Sequence, residues 1–115
     1  MADYYQELGV SLVKLVDIRG DALSQDYQLA IETLLKQKNI YGLLIIQTLQ
    51  IMTESEKNAK IIAEAKRKWP KKPIVCCFLG GKITKKGVEI LEKNKIPNYP
   101  DLKRAAKAMK TLIYE

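Results

Sequence analysis

At 115 residues, 47% of them hydrophobic and 29% charged, the chain has room for one core and not for two. No apolar run approaches the roughly 20 residues of a membrane span, so no membrane partner is expected. The complete absence of histidine removes the commonest general base, phosphoryl carrier and metal ligand together, and with them zinc and Ser-His chemistry; no catalytic residue and no metal site is nominated.

Residues 1–12 are expected to be an N-terminal extension, either a short helix or the remnant of a connection to something upstream. "VKLVDI", Val13 to Ile18, reads as a strand, and the turn-forming "RGDALS" follows it. Ser24 suits the N-cap of a first helix whose apolar residues Tyr27, Ala30, Ile31, Leu34 and Leu35 recur at helical spacing. "LLIIQ" is a continuous apolar run with a β-branched pair, the pattern of a parallel strand covered on both faces. It is expected to end by exposing two polar side chains, Gln47 and Thr48. Thr53 and Glu56 then form a T-x-x-E capping box for a second helix that runs toward Trp69 and stops at Pro70.

"PIVCCF" is the third strand and "LGG" the turn after it. Thr84 is a candidate cap for a shorter helix carrying Val88 and Leu91, and "KIPNY" supplies a brief fourth strand. Asp101 is expected to cap the last helix, with Leu102, Ala105, Ala106, Met109 and Ile113 on one face. Such strict alternation predicts an α/β fold over residues 13–115: a flavodoxin-like open parallel sheet of about four strands, helices on both faces, with the first strand inside the sheet. Cys76 and Cys77 are adjacent in a strand, so they point to opposite faces, form no ordinary disulfide and belong to the core. A secretory signal is not evident in "MADYYQELGV", and a reducing, cytoplasmic setting is expected.

Ligands of open parallel sheets bind beyond the C-terminal ends of the strands. That gathers Arg19 to Ala22, Thr48 to Thr53, Gly80 to Lys82, and Asn98 to Asp101. Gly20, Gly80 and Gly81 allow main-chain N–H groups to approach an anion, while Thr48, Gln50 and Thr53 offer neutral hydrogen-bonding groups where the second helix begins. A helix N-terminus with its unsatisfied donors suits a phosphate. Plainer readings stand beside each signal. A Gly-Gly after a strand makes a turn whether or not anything binds, Thr53 caps in either case, and Glu54 and Glu56 weaken attraction for an anion. Asp17 and Asp21 resemble a receiver's acidic pair, but no aspartate follows the next strand and no lysine–threonine pair completes it. A Ser/Thr- and Gly-rich flavin loop after the first strand is missing too.

The formal net charge of +7 admits an acidic partner, a nucleotide-like ligand or nucleic acid. The basic residues are spread through Lys66-Arg67-Lys68, Lys71-Lys72, Lys85-Lys86, Lys93, Lys95, Lys103-Arg104, Lys107 and Lys110, and most read as a solvated surface at the late turns of helices. With no platform of stacking aromatics, nucleic acid is the least expected partner.

Taken together, "VDIRGDALSQDYQLAIETLLKQKNIYGLLII", "QTLQIMTESEKNAKIIAEAKRKWPKKPIVCCFLGG" and "GVEILEKNKIPNYPDLKRAAKAMKTLIY" resemble the NDP-forming acyl-CoA synthetases in unbroken order over roughly residues 13 to 114. This family includes ADP-forming acetyl-CoA synthetase and is related to succinyl-CoA synthetase. The resemblance is to its second flavodoxin-like ligase domain, the one without the phosphorylated histidine. It implies an acid–thiol ligase in which an acyl phosphate forms and a histidine on a companion CoA-binding domain carries the phosphoryl group to an ATP-grasp domain. CoA and ATP/ADP are thereby implied for the full assembly, none bound tightly by this chain.

The resemblance also implies that the helix starting near Thr53 aims its N-terminus at that phosphohistidine. Asp17, Gly20 and Ala22 match the family's first loop, Gln50 and Thr53 its P-Q-x-x-T turn, and Gly80 and Gly81 the glycines after the third strand. Lys14-Leu15 replaces the family's Asn-Pro, and Leu49 replaces the proline before the glutamine. Gly20, Asp21, Thr48, Gln50, Thr53, Gly80 and Gly81 are therefore the residues expected to face a phosphate or a partner. The chain is expected to be inactive alone, as a separately encoded piece or a segment of a larger enzyme. The same domain arrangement resembles that of acyl-CoA-linked protein acetyltransferases, where this domain is regulatory. The alternative is a stand-alone or regulatory module that binds a nucleotide- or CoA-like phosphate ligand by itself.

Overall fold

The computed structural model describes residues 13–18, 24–47, 55–79 and 84–114. Its elements are β1 (Val13–Ile18), α1 (Ser24–Lys36), β2 (Gly42–Gln47), α2 (Ser55–Lys68), β3 (Ile74–Phe78), α3 (Lys85–Lys93) and α4 (Leu102–Tyr114). The strands form one parallel sheet in the order β1-β2-β3, in register from Val13 opposite Gly42 to Ile18 opposite Gln47, and from Leu43 opposite Ile74 to Gln47 opposite Phe78.

Every residue of β2 and β3 is buried, as the unbroken apolar runs require of strands covered on both sides. The alternation of side chains divides the core in two. Leu43, Ile45, Ile74, Cys76 and Phe78 meet Ile31 and Leu35 of α1, Ala59, Ile62, Ala63 and Ala65 of α2, and Leu91 of α3. Leu44, Ile46, Val75 and Cys77 meet Ala105, Ala106 and Met109 of α4 on the other face. Helices thus cover both faces. The placement of α1 and α2 together follows from two crossovers of one hand stepping the same way along the sheet.

Several expectations need correction. Among the described residues β1 pairs with β2 alone and lies at the edge of the sheet, because each βα unit steps onward in the same direction. The fourth strand is a single parallel bridge, Cys76 to Asn98: Cys76 N donates to Pro97 O at 2.9 Å and Tyr99 N to Cys76 O at 3.0 Å. Pro100 follows without an N–H, which stops a ladder. Ala30 is exposed, whereas Ile31 and Leu35 are fully buried; α1 turns a narrower stripe inward than its apolar spacing predicts.

The helix boundaries follow from local chemistry. α2 ends at Lys68, just before Trp69-Pro70 as expected. Asp101 does cap α4, its Oδ1 accepting from Arg104 N at 2.8 Å. Thr84 occupies the N-cap position of α3 but makes no capping side-chain bond there, in contrast to the expectation; it is 2% exposed, drawn into the core side of the turn. At the other end of α3, Lys95 takes φ 61°, Ile96 N bonds Leu91 O at 2.9 Å and Lys95 N bonds Glu92 O at 3.0 Å. This 6→1 and 5→2 pair is a Schellman ending, and buried Ile96 supplies its apolar contact.

Most lysines are solvated as expected, but Lys66 and Lys72 are not merely surface charge. Lys66 Nζ donates to Pro70 O and Lys72 O, both at 3.0 Å, and burial pulls its pKa down. Lys72 Nζ donates to Leu35 O at 2.6 Å and Gln37 O at 2.7 Å, satisfying carbonyls at the end of α1. Lys68 reaches Glu32 at 2.8 Å, a partly exposed bridge between α2 and α1.

Both cysteines are buried and free, on opposite faces as expected. Burial pushes the Cys76 thiol far up, and burial with the Asp101 carboxylate pushes Cys77 up to about 11. The folded state therefore keeps a proton on Cys77 that an unfolded cysteine releases near 9.0. This contribution to stability is complete below that pH and is lost as pH rises toward about 11. Native protein at pH 8 should leave both thiols unmodified by a water-soluble disulfide reagent, with two equivalents reacting in denaturant. Rapid modification of the native protein would contradict the burial.

Candidate functional site

The C-terminal ends of the strands are where the topology gathers loops. Gly20, Asp21, Thr48, Gln50, Thr53, Gly80 and Gly81 all lie outside the described residues, as do residues 1–12; of the expected capping box only Glu56 is described. What is described is the frame from which those loops depart.

That frame is built on a polar end to an apolar strand. Gln47, the last residue of β2, is fully buried rather than exposed as the sequence suggests. Its Nε2 donates to Ser55 Oγ at 2.7 Å, and Asn58 Nδ2 donates to its Oε1 at 2.9 Å. Ser55 and Asn58, both buried, occupy the first turn of α2 on the stripe that continues as Ile62 and Ala65. A polar side chain deep in a protein keeps its place only if bonded. Gln47 therefore holds the start of α2 against the end of β2 as well as filling space.

The neighbouring strand is closed similarly. Leu79 N donates to Gln47 O at 2.9 Å, carrying the β2–β3 pairing one residue beyond β3. Phe78 N donates to Asn98 Oδ1 at 2.8 Å, so an asparagine side chain takes the place that a longer fourth strand would fill. Asn98 belongs to the one expected loop that is described, and its role is structural.

From the side of α3, Gly87 closes on the same turn of α2. A Cβ at Gly87 would lie 2.8 Å from Ser55 O and 3.0 Å from Ser55 C, too close for any side chain without movement. The start of α2 is thus held by a side-chain network from the sheet and by a close helix approach from α3. Glu56, in the same turn, is exposed.

Sequence reasoning missed Gln47, Ser55, Asn58 and Gly87 as a set. The available signal was two polar residues, three apart, on the buried stripe of a helix that follows a strand ending in glutamine. Among the described residues no group of three or more His, Cys, Asp or Glu is placed to hold a metal, and no helix is long and apolar enough to cross a membrane.

Such a frame defines an open parallel α/β domain in which the first turn of α2 is anchored to the end of β2. No family model matches the chain. It is 31% identical over 98 residues to the acetate–CoA ligase [ADP-forming] I subunit alpha of Pyrococcus furiosus, covering 84% of this chain and 21% of that subunit. It is 30% identical over 103 residues to subunit alpha of the second such ligase of that organism, covering 87% and 22%. A third relative is the acetate–CoA ligase [ADP-forming] I of Archaeoglobus fulgidus, at 31% over 97 residues, covering 84% of this chain and 13% of that one.

Among solved structures, the dinucleotide-forming acetyl-coenzyme A synthetase 1 of Ca. Korarchaeum cryptofilum in complex with phosphate and ADP superposes with a TM-score of 0.74 at 25% identity, over 98% of this chain and 26% of that one. A crystal structure from Pyrococcus horikoshii OT3 gives 0.73 at 26%, over 98% and 28%. The chain is thus related to a segment of the ADP-forming acetate–CoA ligases, and it spans about a fifth of the length of the Pyrococcus subunits it matches.

Proposed function

We propose that this chain is the flavodoxin-like, non-catalytic domain of an NDP-forming acyl-CoA synthetase, presenting the N-terminus of α2 to a phosphohistidine carried by a partner domain. The observation that carries the reading is the likeness, over most of the chain, to ADP-forming acetate–CoA ligase subunits. The anchored first turn of α2 supports it in physical terms. Donors that stabilise developing phosphoryl charge are effective when they are oriented before the reaction, and a helix start tied down by Gln47 and Gly87 is oriented in that way. Gly20, Asp21, Thr48, Gln50, Thr53, Gly80 and Gly81 are the residues proposed to face the phosphate or the partner. CoA and ATP/ADP belong to the assembly, bound chiefly by the CoA-binding and ATP-grasp domains in the same chain or in separate subunits. A cytoplasmic setting fits this role.

The test is reconstitution with a histidine-bearing partner. The isolated chain is expected to ligate nothing. In the assembly, Thr53→Pro is expected to slow phosphoryl turnover by an amount equivalent to about 2–4 kcal/mol, the loss of one oriented donor set. A folded variant with an unchanged rate would leave this domain only a scaffolding role. Direct binding of ADP or CoA by the chain alone, abolished by Gly81→Asp, would favour the stand-alone module instead.

A further inference from the structure

At the end of the sheet opposite those loops, the starts of β2 and β3 and the end of α4 enclose an open cleft of ≈ 330 Å³ lined by Lys38, Tyr41, Lys71, Lys72, Pro73 and Leu112. Its chemistry has two parts. Tyr41 is 52% exposed and Leu112 47%, two of the three large apolar side chains that the described residues leave in water. No carboxylate is among the described residues that line the cleft, and neither described ion pair, Lys68 with Glu32 or Arg104 with Asp101, involves Lys38 or Lys71.

We infer that this cleft is a docking surface for an acidic polypeptide segment carrying an apolar anchor residue. A small phosphate fits less well. Lys72 has already turned its ammonium to Leu35 O and Gln37 O, so no three-lysine cage converges on a point, and Tyr41 and Leu112 would stay uncovered. A second copy of the chain would bring +7 against +7. Nucleic acid would find one aromatic ring and no line of stacking partners. An extended acidic segment instead pairs its carboxylates with Lys38 and Lys71 and lays an aliphatic or aromatic side chain between Tyr41 and Leu112, an apolar centre with a charged rim. The chain matches only about a fifth of the length of its curated relatives, so the remainder of such an assembly is one source of the segment.

The probe is a fluorescein-labelled hexapeptide of four glutamates flanking a Leu-Phe centre, titrated into the intact chain at 50 mM salt and followed by anisotropy and by amide NMR. Saturable binding is expected, with shifts centred on residues 38–41, 71–73 and 109–112. Lys38→Glu with Lys71→Glu should weaken it at least tenfold, and Tyr41→Ala about fivefold, with unchanged circular dichroism. Lys85→Glu with Lys86→Glu, at two exposed positions of α3, should leave it within twofold. Loss of binding equally at α3 would overturn the inference, as would no saturation at millimolar peptide. Tighter binding of oligo-dT or of ADP in the same cleft would overturn it in favour of nucleic acid or a small anion. None of these outcomes depends on the phosphohistidine reading, which concerns the other end of the sheet.

Discussion

Gln47→Leu is expected to destabilise the fold by about 2–4 kcal/mol in equilibrium denaturation, even though leucine has nearly the same volume and the site is fully buried. The substitution removes the donor to Ser55 Oγ and the acceptor of Asn58 Nδ2 together, and puts hydrocarbon where two buried polar groups of α2 had their bonds to the sheet. Leaving a polar group unpaired costs more than the bond contributed, because the group has lost water without recovering a partner. Adding Ser55→Ala to Gln47→Leu should therefore restore part of the loss, and the double-mutant cycle should show a coupling of about 0.5–3 kcal/mol.

Gln47→Glu gives an independent check. A buried carboxyl has its pKa raised, so that variant should lose stability as pH rises through that raised value. A Gln47→Leu protein as stable as the parent at every pH would mean that the network forms without holding anything.

The contrast with what the sequence shows is instructive at this residue. "LLIIQ" identifies a buried strand, and a terminal glutamine reads naturally as the point where the chain meets water. Hydropathy patterns report the average fate of a residue type. They do not report that a serine and an asparagine from the next helix will meet the glutamine in the interior. The same limit applies to "KIPNY", expected as a brief fourth strand, which the flanking Pro100 and the Asn98 side chain reduce to one bridge with β3.

By contrast, the adjacent cysteines, the stop at Trp69-Pro70 and the Asp101 cap were legible, because each depends on a local rule: alternation in a strand, a missing N–H, a carboxylate three residues before an amide. The position of β1 at the edge of the sheet formed by the described residues was not legible. Strand order depends on how successive crossovers step, and local sequence carries little of that. The relationship to acetate–CoA ligases was legible from the order of many weak segments across 31%-identical sequence, where each segment alone says little.

Gly87→Val should be the most disruptive single change on the surface-facing helices, with a net cost of about 2–3 kcal/mol from overpacking. On propensity alone it should help, since glycine inside a helix such as α3 is unfavourable by roughly 0.5–1 kcal/mol relative to alanine. The outcome is decided by what the new atoms meet. The Cβ would press on Ser55 O at 2.8 Å and Ser55 Cβ at 3.1 Å, all within the first turn of α2, and main-chain atoms cannot rotate away as a side chain can.

The damage should consequently be local in a definite place. Amide exchange in the first turn of α2 should accelerate, and the Gln47–Ser55 bond should weaken, while β3 and α4 on the far face keep their protection. Gly87→Ala separates the two effects, since it adds the clashing Cβ with the best helix former. A variant more stable than the parent would show that α2 can shift at little cost, and would deprive the proposed phosphate-facing helix of the rigidity on which its contribution to catalysis depends. A loss of stability together with slower turnover in the reconstituted assembly, but with peptide binding at the Tyr41 cleft unchanged, would tie the orientation of α2 to the two residues that grip it.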